Sequence, residues 1–364
     1  MHELTARELL VHLYQTAIDA VDGRHLVQQW CREHPAANFS HCVAVGKAAP
    51  AMLQGALDSC RALHSALLIT GRDQLTRKLG RNRSVLALES SHPVPAQASL
   101  DAGKALLDYL HQAPPGSSLL VLISGGASSM VEVPADGVRL AQLQQINSYL
   151  LASGKDIHAI NAWRKRFSKI KGGGLLKYAQ HLQCQQLIIS DVQGNDPAVI
   201  GSGLLVQSQE TAHDEDDWLR SMLTQPGVQG EACTPVATAV IGSNETAITA
   251  AIREAGQQGL DCHLHEDFIS GDAIEQGAAL GEYLRTAAKG VHVWGGETTV
   301  CLPQKPGLGG RNQSMALALA AAIDGTDELF VLVAGSDGID GNTPCAGALV
   351  SGNSLQQVRQ MGFD

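Results

Sequence analysis

Glycine-rich turns that follow apolar runs are the features of this sequence that could do chemistry. The clearest is the turn 124–128, Ser-Gly-Gly-Ala-Ser, which follows the aliphatic run 119–123. Its two glycines would let a ligand approach the bare main chain, and a helix starting at about Ala127 would direct unpaired N–H groups at an anion. A plain strand-to-helix turn is the alternative interpretation. We predict a cradle for a phosphate or carboxylate, formed by Ser124, Gly125, Gly126 and Ser128.

Two cations follow other glycine turns. Lys47 comes after a short apolar run and Gly46, and Arg311 opens a predicted helix after Gly309 and Gly310. A lysine in such a place holds a phosphate as a point charge, and an arginine binds a phosphate or carboxylate through two parallel N–H groups. Both are candidate anion-binding residues, although a solvated turn lysine is the ordinary alternative for Lys47.

Three aspartates follow predicted strands. Asp191 comes after the apolar run 187–189, and Asp337 and Asp340 lie on a glycine loop after the run 330–334. A carboxylate at a strand end can hold Mg²⁺ or accept a proton. For a lone aspartate, capping of a helix is the ordinary alternative. We keep all three as candidate metal-binding or general-base residues.

Five cations lie within residues 164–171 of an otherwise acidic chain, and three glycines, 172–174, follow them. A charge run is usually a solvated helix face. Because the glycines could open a helix at Leu175, we favour a role in steering an anion.

Histidines at two places carry alternatives. His263 and His265 would share one face of a strand, but no third metal ligand is evident, so we expect no metal there. His92 lies in a turn with two prolines. It is either a ligand contact or, more ordinarily, a packed turn histidine.

The elements that would carry these residues alternate between strands and helices. Runs such as 119–123 suit a parallel sheet buried on both faces, and ligands bind at the carboxyl ends of such strands. We predict an α/β protein of two domains. Residues 1–232 would form a Rossmann-like parallel sheet flanked by helices, and residues 233–364 a smaller α/β domain. A polar, acidic stretch at about 205–235 marks the predicted boundary.

Composition excludes several classes of function. Hydrophobic residues make up 44% of the chain and charged residues 17%, as in a globular protein with a large core. The net charge of −10 argues against nucleic acid as a partner, because phosphate neutralisation needs a basic face. Eight scattered cysteines, a polar N-terminus and the lack of an apolar run of membrane length predict a cytoplasmic protein without membrane attachment. The oligomeric state is left open, with a homodimer as one option.

Both common nucleotide fingerprints, G-x-x-x-x-G-K-[ST] and a complete G-x-G-x-x-G, are absent from the chain. The residues by themselves therefore indicate a two-domain α/β enzyme that acts on phosphates or small acids, and they go no further.

Short motifs occur in a fixed order along nearly the whole chain. They are Val45-Gly-Lys47-Ala-Ala, Ser91-His-Pro-Val-Pro95, Ile123-Ser-Gly-Gly126, Asn161 with Arg164-Lys165, Lys171-Gly-Gly173, Ser190-Asp-Val192, Gly201-Ser-Gly203, Gly295-Gly-Glu-Thr298, Gly309-Gly-Arg-Asn-Gln313 and Asp337-Gly with Asp340-Gly. This order resembles the glycerate 2-kinase family, whose C-terminal part is called the MOFRL domain and whose members are often labelled hydroxypyruvate reductase.

The resemblance implies phosphoryl transfer from MgATP to the 2-hydroxyl of D-glycerate, giving 2-phosphoglycerate, in a cleft between the domains. Such a reaction needs positioning and charge neutralisation more than a covalent nucleophile. By resemblance, Lys47 and Arg311 neutralise the transferring group, and Asp191 or Asp337 binds Mg²⁺ or accepts the hydroxyl proton. The further substrate- or phosphate-binding residues implied at motif positions are Asn161, Arg164, Lys171, Glu297 and Asn312.

The chain departs from the family pattern at three acids and at its end. Ser314, Asn195 and Ala96 stand where the family usually has an acid, so we expect weaker metal binding. The chain stops at Asp364 without the family's Asn-Asp-Ser and Gly-Pro-Thr-x-Thr-Asn-Val patterns, so we expect an incomplete second domain. Two alternatives follow. One is a hydroxypyruvate reductase using NAD(P)H, against which the missing dinucleotide fingerprint argues, and the other is a truncated, non-catalytic relative that binds glycerate or nucleotide.

Overall fold

The computed structural model describes residues 5–75, 84–153, 157–207, 216–223, 233–303 and 305–362. The chain forms two compact units. The larger unit comprises residues 21–243, and the smaller joins residues up to Ala20 to residues 244–364.

These units differ from the predicted domains at both ends of the larger one. The N-terminal helix α1 (Ala6–Ala20) belongs to the smaller unit, because its Leu13 packs against Ala251 and Ala255. The larger unit ends at Ser243 rather than at the predicted boundary of 232, because the sixth strand of its sheet follows that boundary. Most of the acidic stretch that suggested the boundary lies outside the described residues.

Six strands form the sheet of the larger unit: β1 (His41–Val45), β2 (Ser65–Gly71), β3 (Val85–Ser90), β4 (Ser118–Ile123), β5 (Gln183–Ile189) and β6 (Ala237–Gly242). All neighbouring strands are parallel, in the order β3-β2-β1-β4-β5-β6. This is the order of a doubly wound Rossmann sheet, so the predicted fold class is confirmed. The winding reverses between β1 and β4, and such sheets bind ligands at the carboxyl ends of the strands beside that point.

Helices accompany this sheet: α2 (Gly23–Glu33), α3 (Ala49–Ser59), α4 (Gln97–Gln112), α5 (Ala127–Met130), α6 (Leu140–Ala152), α7 (Ile157–Arg166), α8 (Leu176–Ala179) and α9 (Asp217–Ser221). Successive residues of β4 serve opposite faces of the sheet. Val121 lies in one core with Leu106 of α4, and Leu122 lies in another with Met52 of α3. Burial on both faces explains why the run 119–123 carries no polar residue.

The smaller unit contains α1 and the elements β7 (Cys262–Leu264), β8 (Ile269–Asp272), β9 (Val291–Val293), β10 (Gly296–Thr299), β11 (Phe330–Ala334), β12 (Gly347–Ser351), α10 (Asn244–Gln257), α11 (Ala273–Leu284), α12 (Arg311–Ala322) and α13 (Ser354–Gln360). Its strands pair as β7 with β9 and β8 with β10, both parallel, and β11 with β12, antiparallel. The core of this unit lies between α11, α12 and the β11–β12 pair. Along the described ranges, no helix combines the length and the apolar character that crossing a membrane requires.

Candidate active site

The turns after β1 and β4 lie side by side at the point where the winding of the sheet reverses. The N–H of Ser124 donates to the carbonyl of Val45 at 3.0 Å, and the N–H of Lys47 donates to the carbonyl of Gly125 at 2.9 Å. The buried Ser124 hydroxyl accepts a hydrogen bond from the N–H of Ala48 at 3.0 Å. The structure thus brings Lys47 to the predicted cradle, and Ser124 holds the two turns together.

Main-chain donors remain available at this turn. Gly126 has a φ of +84° and precedes α5, which begins at Ala127 as predicted. Within the described ranges, no main-chain carbonyl accepts the N–H groups of Gly125, Gly126 or Ser128. These three half-buried residues can therefore present N–H groups to an anion, which is the chemistry predicted for the turn.

Two side chains close in on the glycines of the turn. A Cβ on Gly125 would lie 2.5 Å from Oδ2 of Asp191. A Cβ on Gly126 would lie 2.9 Å from Cδ2 and 3.3 Å from Nε2 of His92. Both side chains are exposed. The structure therefore places Asp191 beside the cradle, and it places His92 there too, for which the sequence left a ligand contact and a packed turn histidine as alternatives.

Ser202 is a residue that sequence reasoning missed. Its hydroxyl is 2.7 Å from the hydroxyl of Ser128, and its side chain is buried. Ser202 has a φ of +59° between two glycines that also have positive φ values. The Gly-Ser-Gly sequence was the available signal, because such a run suits a left-handed turn.

Lys171 occupies a different environment from the one predicted. Its ammonium lies 2.5 Å from Oε2 of Glu132, and the two side chains are 3% and 0% exposed. The three glycines that follow donate their N–H groups to main-chain carbonyls, and α8 has only four residues. The Lys171 ammonium and the N–H groups of the three glycines therefore bind other groups of the protein and are not presented to a phosphate. A buried ammonium needs a carboxylate partner.

The other cations of residues 164–171 also have partners within the protein. Arg164 donates to Oδ1 of Asn147 at 3.0 Å. Burial lowers the pKa of Arg164, while the carboxylate of Glu132 acts in the opposite direction. Lys169 pairs with Asp136 at 2.5 Å. The cations of residues 164–171, which were predicted to steer an anion, therefore have a mainly structural role. The neighbouring candidate Asn161 is buried.

In the smaller unit, Arg311 and Glu297 form an ion pair. Nη1 of Arg311 donates to Oε1 of Glu297 at 2.7 Å and to the carbonyl of Thr298 at 3.3 Å. The two charged side chains are 43% and 54% exposed. A guanidinium has five N–H donors, so Arg311 can still bind an anion while Glu297 orients it.

Asp340 caps the helix that Arg311 begins. Its Oδ1 accepts from the N–H of Asn312 at 3.0 Å and its Oδ2 from the N–H of Gln313 at 2.8 Å. The residue is 1% exposed. This corrects the prediction that Asp340 is a metal or base candidate, because both oxygens serve the helix N-terminus. The amide of Asn312 donates to the carbonyl of Ala346 at 3.3 Å.

Asp337, in contrast, is exposed at the end of β11. Its Oδ1 accepts from the N–H of Ile339 at 3.3 Å. Tyr14 lies close by and donates to the carbonyl of Gly335 at 2.8 Å. Burial raises the pKa of the Tyr14 phenol, and the charge of Asp337 raises it further. Asp337 keeps the accessibility that a metal ligand or proton acceptor needs.

The histidines at β7 form an aromatic ladder. His263 stacks on His292 with ring centroids 4.3 Å apart, and His265 stacks on Trp294 at 3.9 Å. His265 Nε2 and His292 Nδ1 share a hydrogen bond of 2.9 Å. In the part of the chain that the structure describes, no three His, Cys, Asp or Glu residues are grouped to hold a metal.

The doubly wound sheet, with Lys47 and main-chain donors where its winding reverses, defines an α/β protein of the class that binds ligands at the carboxyl ends of its strands. Comparison with known proteins gives the family. Residues 9–234 match a domain of unknown function, DUF4147, and residues 290–364 match the MOFRL family.

Named relatives agree with these matches. A glycerate 2-kinase of Pyrococcus horikoshii is 31% identical over 381 residues, covering 96% of this chain and 84% of its own. A putative hydroxypyruvate reductase of Agrobacterium vitis is 35% identical over 298 residues, covering 76% of this chain and 77% of its own. The crystal structure of glycerate kinase from Thermotoga maritima matches with a TM-score of 0.84 and 27% identity, over 98% of this chain and 89% of that one. The chain belongs to the glycerate 2-kinase family with its MOFRL domain, and it is a phosphotransferase.

Proposed function

We propose that this chain is a glycerate 2-kinase that transfers a phosphoryl group from MgATP directly to the 2-hydroxyl of D-glycerate. The observation that carries the proposal is the arrangement where the sheet winding reverses. There Lys47 is hydrogen-bonded into the turn of Gly125, whose neighbours offer main-chain N–H groups to an anion. Phosphoryl transfer requires positioning and neutralisation of charge, and this arrangement supplies both.

Each unit contributes its own charged residues to the proposal. In the larger unit, Lys47 neutralises charge on the transferring group and the cradle binds an oxyanion. In the smaller unit, Arg311 binds a second anionic group while its ion pair with Glu297 fixes the direction of the guanidinium. The expectation that transfer takes place between the two domains stays a prediction.

Mg²⁺ would arrive with the nucleotide as part of the substrate. It is usually held by one or two carboxylates together with phosphate oxygens and water, so a cluster of three carboxylates is not required. Asp191 and Asp337 are both exposed carboxylates at strand ends, and either fits this donor set. The carboxylate that does not hold the metal would accept the proton of the 2-hydroxyl.

A hydroxypyruvate reductase is the second candidate, because relatives such as the Agrobacterium vitis protein carry that name. Dinucleotide enzymes of this fold hold the pyrophosphate at a G-x-G-x-x-G turn after the first strand. Here that turn reads Gly46-Lys47-Ala48-Ala49. The lysine in place of the glycine pattern suits a phosphoryl group better than a dinucleotide.

The test is phosphorus NMR of the purified chain with D-glycerate, ATP and Mg²⁺. We expect a 2-phosphoglycerate signal that Lys47→Ala abolishes and that Lys104→Ala, at an exposed position of α4, leaves unchanged. No phosphoglycerate from folded protein would overturn the kinase proposal. Oxidation of NADH with hydroxypyruvate in the same preparation would support the reductase instead.

A cytoplasmic location and a homodimer stay predictions. Size-exclusion chromatography with light scattering would check the second.

A further inference from the structure

His92 lies at the cradle although its strand is distant from it in the sheet. β3 is separated from β4 by β2 and β1. The ring of His92 nevertheless contacts Gly126, the residue that precedes α5. The loop after β3 must therefore cross the carboxyl edge of the sheet, which is the edge where ligands of such sheets bind.

The loop is anchored at both of its ends. The hydroxyl of Ser90 donates to the carbonyl of Met130 at 2.6 Å, which ties the end of β3 to α5. The N–H of Ala96 donates to the hydroxyl of Ser99 at 3.2 Å, which fixes the far end of the loop at the start of α4. His92 thus reaches the cradle from a loop that is fixed at both ends, and such a loop loses little backbone freedom when a ligand binds.

The orientation of the His92 ring places one of its two nitrogens, Nε2, on the side of the turn. The position of a Cβ on Gly126 is 2.9 Å from Cδ2 and 3.3 Å from Nε2 of His92, so the edge that carries Nε2 faces the turn. His92 is exposed, so a ligand can reach its side chain. An imidazole nitrogen that carries hydrogen donates well to a carboxylate or phosphate oxygen.

We propose that His92 is a substrate-contacting residue, whose Nε2 donates a hydrogen bond to the oxyanion bound at the turn of Gly125 and Gly126. The inference rests on the proposed kinase function and adds a side-chain donor to the main-chain donors of the cradle. The oxyanion is either the carboxylate of D-glycerate or a phosphate of the nucleotide. Both present the same chemistry to Nε2, and separate Michaelis constants distinguish them.

The experiment compares His92→Leu, which keeps apolar bulk beside Gly126 but has no donor, with His92→Gln, which keeps an N–H donor. KM for D-glycerate is measured at saturating ATP, and KM for ATP at saturating D-glycerate. We expect His92→Leu to raise one of the two constants on the order of tenfold to a hundredfold, with a smaller change in kcat. His92→Gln should recover most of the loss. A rise for D-glycerate assigns the carboxylate, and a rise for ATP assigns the phosphate.

His111→Leu, at an exposed position in the last turn of α4, is the matched control and should leave both constants unchanged. Unchanged constants in His92→Leu would overturn the proposal. Equal losses in His92→Leu and His92→Gln together with a lower melting temperature would also overturn it, because they indicate a packing role.

Calorimetric titration with D-glycerate and with ATP separates this proposal from the kinase function. Wild-type binding that weakens in His92→Leu, without any turnover, would overturn the kinase function and retain the His92 contact. Turnover by the wild type, with equal ligand binding in the wild type and His92→Leu, would retain the kinase function and overturn the His92 contact. A wild-type chain that binds neither ligand would overturn both.

Discussion

The hydroxyl of Ser124 accepts a hydrogen bond from the N–H of Ala48 at 3.0 Å, which joins the turn after β4 to the turn after β1. Gly46 leaves room for this contact, since its φ is +127° and a Cβ on it would overlap Ser124. We expect Gly46→Ala to displace Lys47 and lower kcat/KM on the order of a hundredfold. A steady-state assay of phosphoglycerate formation measures the effect.

Gly116→Ala is the matched control. Gly116 also has a positive φ, +81°, but a Cβ there would meet nothing within 4 Å. It should lower the free energy of unfolding by about 1–2 kcal/mol and leave kcat/KM unchanged. Equal losses of kcat/KM in the two variants would contradict a specific role for the joined turns.

Breaking the buried pair of Lys171 and Glu132 should lower stability strongly. Lys171→Met leaves the carboxylate of Glu132 buried without its partner, so we expect the free energy of unfolding to fall by about 3–5 kcal/mol. Lys169→Met removes a more exposed ion pair with Asp136 and should cost about 0–1 kcal/mol. Urea denaturation followed by circular dichroism measures both.

If Lys171→Met fails to fold, the double variant Glu132→Leu with Lys171→Met answers the question. It removes both charges and should recover most of the stability. Equal small losses in the two lysine variants would show that the buried pair is not what holds this segment.

Substitution of Asp340 should affect mainly stability, and substitution of Asp337 should affect mainly activity. Asp340→Asn places an amide against two N–H donors, so we expect a loss of about 1–2 kcal/mol in the free energy of unfolding. Asp337→Asn alters an exposed side chain and should change stability by less than about 0.5 kcal/mol. The second variant should instead lower kcat, or raise the Mg²⁺ concentration needed for half-maximal rate. The opposite pattern would exchange the roles given to these two aspartates.

The aromatic ladder should make stability depend on pH. Burial, followed by the charges of His292 and His263, lowers the pKa of His265 below its ordinary value of 6.5, against the opposing effect of Asp267. The unfolded chain then binds the proton more readily than the folded chain. This group's contribution to stability is present above pH 6.5 and is lost as the pH falls towards the folded pKa.

We therefore expect the melting temperature to fall between about pH 7 and about pH 5, and His265→Gln to reduce this slope. His111→Gln changes an exposed histidine outside the ladder and should keep the wild-type slope. Scanning calorimetry at a series of pH values measures all three proteins. A slope that is unchanged in His265→Gln would contradict the assignment.

Much of the local structure could be predicted from the sequence. The run 119–123 is buried in β4, and the helix expected at about Ala127 begins there as α5. Arg311 opens α12, and His263 and His265 face the same side at β7. Periodicity, glycine and charge at a turn are local properties, so a sequence reports them directly.

The sequence by itself determined the strands, the glycine turns and the kinds of side chain found at those turns, because each depends on neighbouring residues. Only the tertiary structure decided which of these side chains contact each other. It paired Lys171 with Glu132, set Asp340 on the N-terminus of α12 and brought His92 across the sheet edge to Gly126. These contacts depend on strand order and packing between distant segments. No local pattern specifies which carboxylate pairs with a lysine or beside which turn a histidine lies.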